Sequence, residues 1–255
     1  MDMSRIAIIA AMEREVRPLI RNWNVRTIEK GERAYRIFEN GDTALVCGGI
    51  GAAAARRATE AMIEEMKPER VLSVGFAGAL DSSLRVGDMV EPQTVINAAD
   101  GARTEVATGD GILVSAATVA GKDQKLRLGK AYGASAVDME AAAVAQGAQA
   151  RGIEFAALKA ISDDADFSLP TLDGFVAEDG TFRFAKFAGY IALRPWLWET
   201  TITLARNSSK ASEALCAAIV NYLGRDARGE QFAGVHTGAG AGPHTQTHTQ
   251  AAAKQ

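Results

Sequence analysis

Short apolar runs alternate with amphipathic stretches along most of this chain. Residues 5–10 are almost wholly apolar, the pattern of a strand covered on both faces, and predict a central strand. Residues 11–23 turn into a short amphipathic helix. Residues 35–39 and Thr43–Cys47 predict two strands joined through Asn40-Gly41-Asp42, a hairpin signal. Gly48-Gly49-Ile50-Gly51 then opens a helix over Ala52–Met66 that Pro68 stops. A strand over 70–74 feeds Gly75-Phe76-Ala77-Gly78-Ala79-Leu80. Residues 84–90 read as a turn into a strand reaching Asn97, and 98–110 as loop. Ile112–Ser115 predicts a short strand and Lys122–Tyr132 a helix. Residues 138–150 predict a small-residue helix with Asp138 and Glu140 in its first turn. A buried strand over 155–161 ends in Ser162-Asp163-Asp164-Ala165-Asp166, and 182–223 is largely helical with a break at Arg194-Pro195.

Strands and helices that alternate in this way, with hairpin strands mixed in, predict an α/β fold: a three-layer sandwich around a mixed, mostly buried central sheet. Ligands of such sheets gather at the carboxyl ends of strands. Three acidic clusters fall there: Glu13/Glu15, Asp138/Glu140 and Asp163/Asp164/Asp166.

The composition, 47% hydrophobic and 23% charged over 255 residues, fits a globular protein with a full core. No linker-like stretch interrupts the first two hundred residues or so, so residues 1–225 read as one domain. The Gly/Ala/Thr/Gln-rich segment 226–255 has almost nothing to bury and is expected to be a disordered tail. A net charge of −3 gives no reason to expect nucleic acid or an acidic membrane as partner. No apolar run reaches spanning length. Cys47 and Cys216 read as buried free thiols, and the chain as cytoplasmic.

Histidine narrows the chemistry. His236, His244 and His248 all lie in the tail, which leaves the body without a Ser-His-Asp arrangement or a zinc-ligand cluster. No metal and no cofactor is expected. Acid-base work in the body then falls to carboxylates. Each cluster has an ordinary structural explanation: a surface Glu15 paired with Arg14 or Arg17, an Asp138 that caps its helix, an Asp163 that caps the next element. The glycines before Ala52 are better explained by close helix–sheet packing than by a phosphate cradle. Taken together, the three clusters suit cleavage of a glycosidic bond, where one carboxyl aids the leaving group and another activates water. On residues alone this is one option among several.

Six motifs then occur in order: Ala11-Met12-Glu13-Arg14-Glu15-Val16, Gly49-Ile50-Gly51, Val74-Gly75-Phe76-Ala77-Gly78-Ala79-Leu80, Arg85-Val86-Gly87-Asp88, Val137-Asp138-Met139-Glu140-Ala141 and Ile161-Ser162-Asp163. The series resembles the nucleoside phosphorylase/nucleosidase superfamily, most of all its methylthioadenosine/S-adenosylhomocysteine nucleosidase branch. The resemblance implies a ribosyl bond of a small nucleoside broken in a pocket at the strand ends. It implies that Glu15 activates the attacking water and that Glu140 binds the ribose 2′- and 3′-hydroxyls, with Met139 packed on the sugar. Asp163 would give a proton to the purine N7, and Gly51, Phe76, Ala77, Gly78 and Ser162 would complete the substrate site. A homodimer is implied as well.

Two departures qualify this. Phe76 stands where the nucleosidases carry a serine, and the family's phosphate-holding arginine and serine are not recognisable, although Arg14, Arg56 or Arg57 could substitute. That favours water over phosphate as acceptor, with phosphate as co-substrate the alternative. The segment between Gly87-Asp88 and Gly109-Asp110 is also short, as in the hopanoid-associated phosphorylases, which act on an adenosyl group carried by a greasy lipid. The aromatic stretch 182–198 is read as a helix packed on the core or a dimer partner, ahead of a hydrophobic-substrate mouth or a peripheral membrane contact. A reading from another class, a nucleoside-binding protein without turnover, draws on the same departures. The retained carboxylates speak for an enzyme.

Overall fold

The computed structural model describes residues 5–31, 33–167, 173–175, 177, 180–194 and 198–226. In chain order the elements are β1 (Ile6–Ala10), α1 (Glu13–Ile20), β2 (Asn24–Lys30), β3 (Arg33–Asn40), β4 (Thr43–Cys47), α2 (Ala52–Met66) and β5 (Arg70–Ala79). There follow β6 (Met89–Val90), β7 (Thr94–Asn97), β8 (Arg103–Glu105), β9 (Ile112–Ser115), α3 (Lys122–Tyr132), β10 (Ala136–Asp138), α4 (Ala141–Gln149) and β11 (Glu154–Asp163). A 3₁₀ turn (Asp173–Phe175), α5 (Phe184–Ala192) and α6 (Trp198–Asp226) close the chain.

Every residue of β1 is buried, and it pairs in parallel with β4 on one side and β5 on the other. Among the described residues the strands form one eleven-stranded mixed sheet in the order β2-β3-β4-β1-β5-β10-β9-β7-β8, with β11 on β5 and β6 on β11. β5 organises it. β11 runs along one edge of β5 from Arg70 to Gly78. The other edge is shared: β1 pairs with Arg70–Ser73, and β10 pairs antiparallel with Gly78 and Ala79. Between them residues 74–77 have no strand partner on that edge among the described residues.

Helices cover both faces. α2 and α4 pack closely because their facing positions are small: Ala141–Ala145 are all buried, and a Cβ on Gly147 would stand 3.0 Å from Thr59 Cγ2. α6 lies over β11 and α1 through Ala211, Leu215, Ile219 and Tyr222, one stripe at helical spacing and all buried. Burying a leucine- or isoleucine-sized side chain contributes roughly 1.5–3 kcal/mol each. A smaller apolar cluster of Ile96, Val114, Ala116, Ala120, Ala134 and Val137 lies near β9 and α3. No helix of the described residues is long and apolar enough to cross a membrane.

The three-layer α/β expectation holds. Thr43–Cys47, Ala52–Met66, Ile112–Ser115 and Lys122–Tyr132 fall where the pattern puts them. The glycines before α2 do serve close packing: a Cβ on Gly48 would lie 2.5 Å from Ala58 Cβ. Other expectations are corrected. Residues 138–150 are not one helix, because Val137 and Asp138 complete strand β10 and the helix begins at Ala141. Pairing with β9 on one side and β5 on the other overrides the local helical pattern. β5 continues to Ala79 instead of ending at Val74, and β11 includes Ser162 and Asp163. β2 and β8 stand where no strand was expected, each held as an edge by an antiparallel neighbour. β6 and β7 are separate strands. α6 runs through Asp226, where an ion pair to Arg70 ties it to β5. Residues 227–255, with the three histidines, lie outside the described residues, as does Pro195.

Candidate active site

A half-open cleft, with about 900 Å³ of empty space including the solvent at its mouth, lies where β5 loses its partners. Its wall includes Glu15, Phe76, Ala77, Gly78, Met139, Glu140, Ser162 and Asp163, so the structure brings all the expected site residues but one to a single place. The exception, Gly51, reaches the site through its backbone, while its neighbour Ile50 lines the wall. Arg14, Lys125, Thr118, Val119, Phe182 and Leu204 complete much of the lining.

Glu15 arrives from α1, which starts three residues after β1 ends. Within its first turn the two glutamates part: Glu13 faces outward and pairs with Arg36 at 2.6 Å, while Glu15 points in and is 3% exposed. The surface reading of Glu15 is therefore overturned. The Met12 N–H donates to Glu15 Oε2 at 3.4 Å, and Ser212 of α6 donates to the Glu15 carbonyl at 2.9 Å. Burial raises the Glu15 pKa, and Arg14 and Lys159 pull it part of the way back. Gly75 leaves room for this, since a Cβ there would stand 3.2 Å from Glu15 Oε2.

Lys159 was not singled out by the sequence. It lies in the middle of β11, fully buried, 2.9 Å from Asp138 Oδ2, and donates to Ser73 Oγ at 3.1 Å. Burial alone would lower its pKa, but Asp138, Glu140 and Glu15 outweigh that and raise it. One cation thus serves three acids. Asp138 also accepts from Ser115 Oγ at 2.5 Å and from the Ala141 N–H at 2.8 Å. The second bond makes it a cap for α4, as expected, although from a strand.

Glu140 occupies the N-cap position of α4 and stands partly exposed on the pocket wall beside Met139. Its Oε1 accepts the Gly51 N–H at 2.7 Å. Gly51 has φ +93°, a conformation that favours glycine, so the backbone turn that aims this N–H depends on the missing side chain. Burial, then the nearby charge of Asp138, pushes the Glu140 pKa up to about 7.

Asp163 closes the far end. Ser162 Oγ donates to its Oδ1 at 2.7 Å, and Lys125 Nζ makes a very short ion pair with Oδ2. Lys125 Nζ also donates to the Asp164 carbonyl at 2.7 Å. No sequence pattern marks Lys125, which is 1% exposed. The other acids of this cluster do not join the site: Asp166 pairs with Lys122 at 2.9 Å on the surface. Among the described residues no group of three His, Cys, Asp or Glu side chains could hold a metal ion.

Carboxylates at three points of one pocket, with lysines behind two of them, can hold a polyhydroxylated ligand, take a proton from water and meet a departing group. Comparison with known proteins bears on the same point. A family model described as the phosphorylase superfamily matches residues 5–111 and 102–189. The 5′-methylthioadenosine/S-adenosylhomocysteine nucleosidase of Bacillus cereus is 37% identical over 89 residues, which is 34% of this chain and 38% of that protein. The enzyme of the same description from Halalkalibacterium halodurans is 38% identical over 90 residues, 34% of this chain and 39% of that one. The matched stretch therefore spans well under half of these relatives. Among solved structures, a Colwellia psychrerythraea methylthioadenosine/S-adenosylhomocysteine nucleosidase in complex with adenine shares the fold at TM-score 0.66 and 19% identity, over 88% of this chain and 96% of that one. The futalosine hydrolase of Helicobacter pylori does so at TM-score 0.62 and 20% identity, over 86% and 98%.

Proposed function

The chain belongs to the phosphorylase superfamily, and on that premise we propose that it cleaves the N-ribosidic bond of a purine nucleoside or thionucleoside with water and releases the base. The observation that carries this reading is the convergence of Glu15, Glu140 and Asp163 on one cleft from three separate elements. In this reading Glu140 accepts hydrogen bonds from the ribose 2′- and 3′-hydroxyls, and Met139 packs on the sugar. As C1′–N9 breaks, its electron pair stays with the base and the ribosyl group gains oxocarbenium character. Glu15 takes a proton from the water whose oxygen bonds C1′. The base leaves past Phe76, Ala77, Gly78 and Ser162 toward Asp163, where it takes up a proton. Gly51 acts through its hold on Glu140. The relatives are named for methylthioadenosine and adenosylhomocysteine, and that class is the first to test.

Phosphate as acceptor is a second reading, favoured by one observation: Arg14 lines the same cleft next to Glu15. Incubation with methylthioadenosine, adenosylhomocysteine, adenosine and inosine, with and without phosphate, separates the cases. Base released in phosphate-free buffer supports hydrolysis, and release only with phosphate supports phosphorolysis. Binding without release of base from any of them would leave a nucleoside-binding protein and sink the enzyme.

The catalytic domain, expected over residues 1–225, takes in Asp226 as well, the last residue of α6 and ion-paired to Arg70. A homodimer is the assembly expected, which light scattering would show. Cys47 and Cys216 are both free thiols, in keeping with a reducing, cytoplasmic setting.

A further inference from the structure

We propose that Ser212 of α6 is a positioning residue for Glu15, and that it supplies the support which α1 cannot give its own first turn. The inference rests on the ribosyl-cleavage reading above, in which Glu15 takes a proton from the attacking water.

α1 has a gap in its ladder beneath Glu15. In a continuous helix the N–H of residue 18 donates to the carbonyl of residue 14. Here residue 18 is Pro18, inside the helix, which has no N–H and whose ring crowds that carbonyl. α1 is also only eight residues long, a length at which a helix depends on its surroundings. The bond from the Met12 N–H to Glu15 Oε2 is long, at 3.4 Å. Local structure therefore holds this turn weakly, while a general base has to stand within hydrogen-bond reach of the proton it takes.

α6 makes up the difference. The Ser212 hydroxyl, 5% exposed, donates to the Glu15 carbonyl at 2.9 Å. It also lies 3.4 Å from the Arg14 carbonyl, the one whose helical donor Pro18 lacks. One turn further on, the Cys216 thiol donates to the same Glu15 carbonyl at 3.8 Å. Simple core packing asks for no polar atom at this place. Ala211, Leu215 and Ile219 beside it on α6 are buried and apolar, and an alanine at 212 would fill nearly the same space.

The spacing extends the argument to the cleft. Leu204, Ser208, Ser212 and Cys216 follow one another at four-residue intervals and so share one ridge of α6. Leu204 and Ser208 line the cleft, and Ser212 and Cys216 hold the turn that carries the base. One edge of one helix thus faces the bound molecule and fixes the group that activates its water.

The test is a double-mutant cycle. Ser212→Ala should lower kcat, on a nucleoside that the wild type cleaves, by about three- to tenfold, the worth of one hydrogen bond. KM should stay unchanged, because Ser212 touches no substrate. In a Glu15→Gln background the same substitution should cost nothing further, since the group it serves is already gone. An equal loss in both backgrounds, or no loss in the wild-type background, overturns the proposal. Pro18→Ala gives the reverse check: Pro18 is exposed, and alanine there restores the N–H that the Arg14 carbonyl lacks. The pair Pro18→Ala/Ser212→Ala should regain part of the lost turnover, and none regained overturns the proposal, also where Ser212→Ala alone fails to fold. Amide hydrogen exchange across α1 reads the support without any substrate. It should quicken in Ser212→Ala and slow again in the pair, and exchange that does not respond overturns the proposal. A wild type that releases no base from any nucleoside overturns the ribosyl-cleavage reading and with it the role of Glu15, an outcome distinct from an active wild type whose loss is the same in both backgrounds.

Discussion

Lys159 Nζ lies 2.9 Å from Asp138 Oδ2, and neither side chain reaches solvent. Breaking a buried pair by removing one partner typically costs about 3–5 kcal/mol, because the other charge stays buried alone. Lys159→Met should therefore destabilise the protein by about that amount in urea denaturation, since Asp138, Glu140 and Glu15 all lose their shared cation. A loss below about 1 kcal/mol would show that the charges are not coupled as their positions imply.

Glu140 makes binding depend on pH. Its pKa of about 7 means that the ionised form, which accepts from a ribose diol, grows roughly tenfold from pH 6 to pH 8. Affinity for a riboside should rise by up to that factor over this window and then level off. Calorimetry checks it, and Glu140→Gln should flatten the curve. Stability moves the other way. The folded pKa lies above the unfolded value of about 4.3, so the folded state holds more protons between the two and stability falls as pH rises from there to about 7.

Glu15→Gln separates the two acceptors. Glutamine cannot take a proton from water, so hydrolysis should fall by about 10²–10⁴ in kcat with the fold kept. Turnover by phosphorolysis needs no such base. Rates that recover on adding phosphate would identify phosphate as the acceptor, and an undiminished rate in water would remove Glu15 from the mechanism.

Gly78→Ala tests the close approach under the base end. The new methyl would stand 2.9 Å from Asp163 Oδ2 and 3.1 Å from Lys125 Cε, so the ion pair must shift. Overpacking of this kind costs about 1–3 kcal/mol. Thermal melting should show that loss, with a larger proportional fall in kcat than in affinity. An unchanged kcat would mean that the pair does not act on the base.

Much of this was legible beforehand. The α2 helix and strand β4 come from local pattern and local stops, and their ends agree with the sequence reading. The three acidic clusters stand at strand ends in the sequence pattern, while the choice of Glu15, Glu140 and Asp163 within them comes only with the family resemblance. Neither lysine stands out, for different reasons. Lys159 stands in the middle of an apolar strand, where a lysine implies a buried acid, but strand periodicity registers the apolar residues alone. Lys125 gives no such sign, because leucines at 126 and 128 suggest an inward face that Leu126 does not in fact occupy. Strand β10 has three residues and exists only through its neighbours β9 and β5, so periodicity had nothing to detect.

The shared edge of β5 has a mechanical consequence. Glu15 hangs from the β1 section and Glu140 from the β9–β10 section; within the sheet the described residues of the two sections join through β5, and outside it through the α2–α4 packing and the Gly51 N–H to Glu140 bond. The seam between them is where the cleft lies. A molecule lying across it touches both sides and knits them from outside the sheet, so that the ligand itself becomes a crosspiece of the fold.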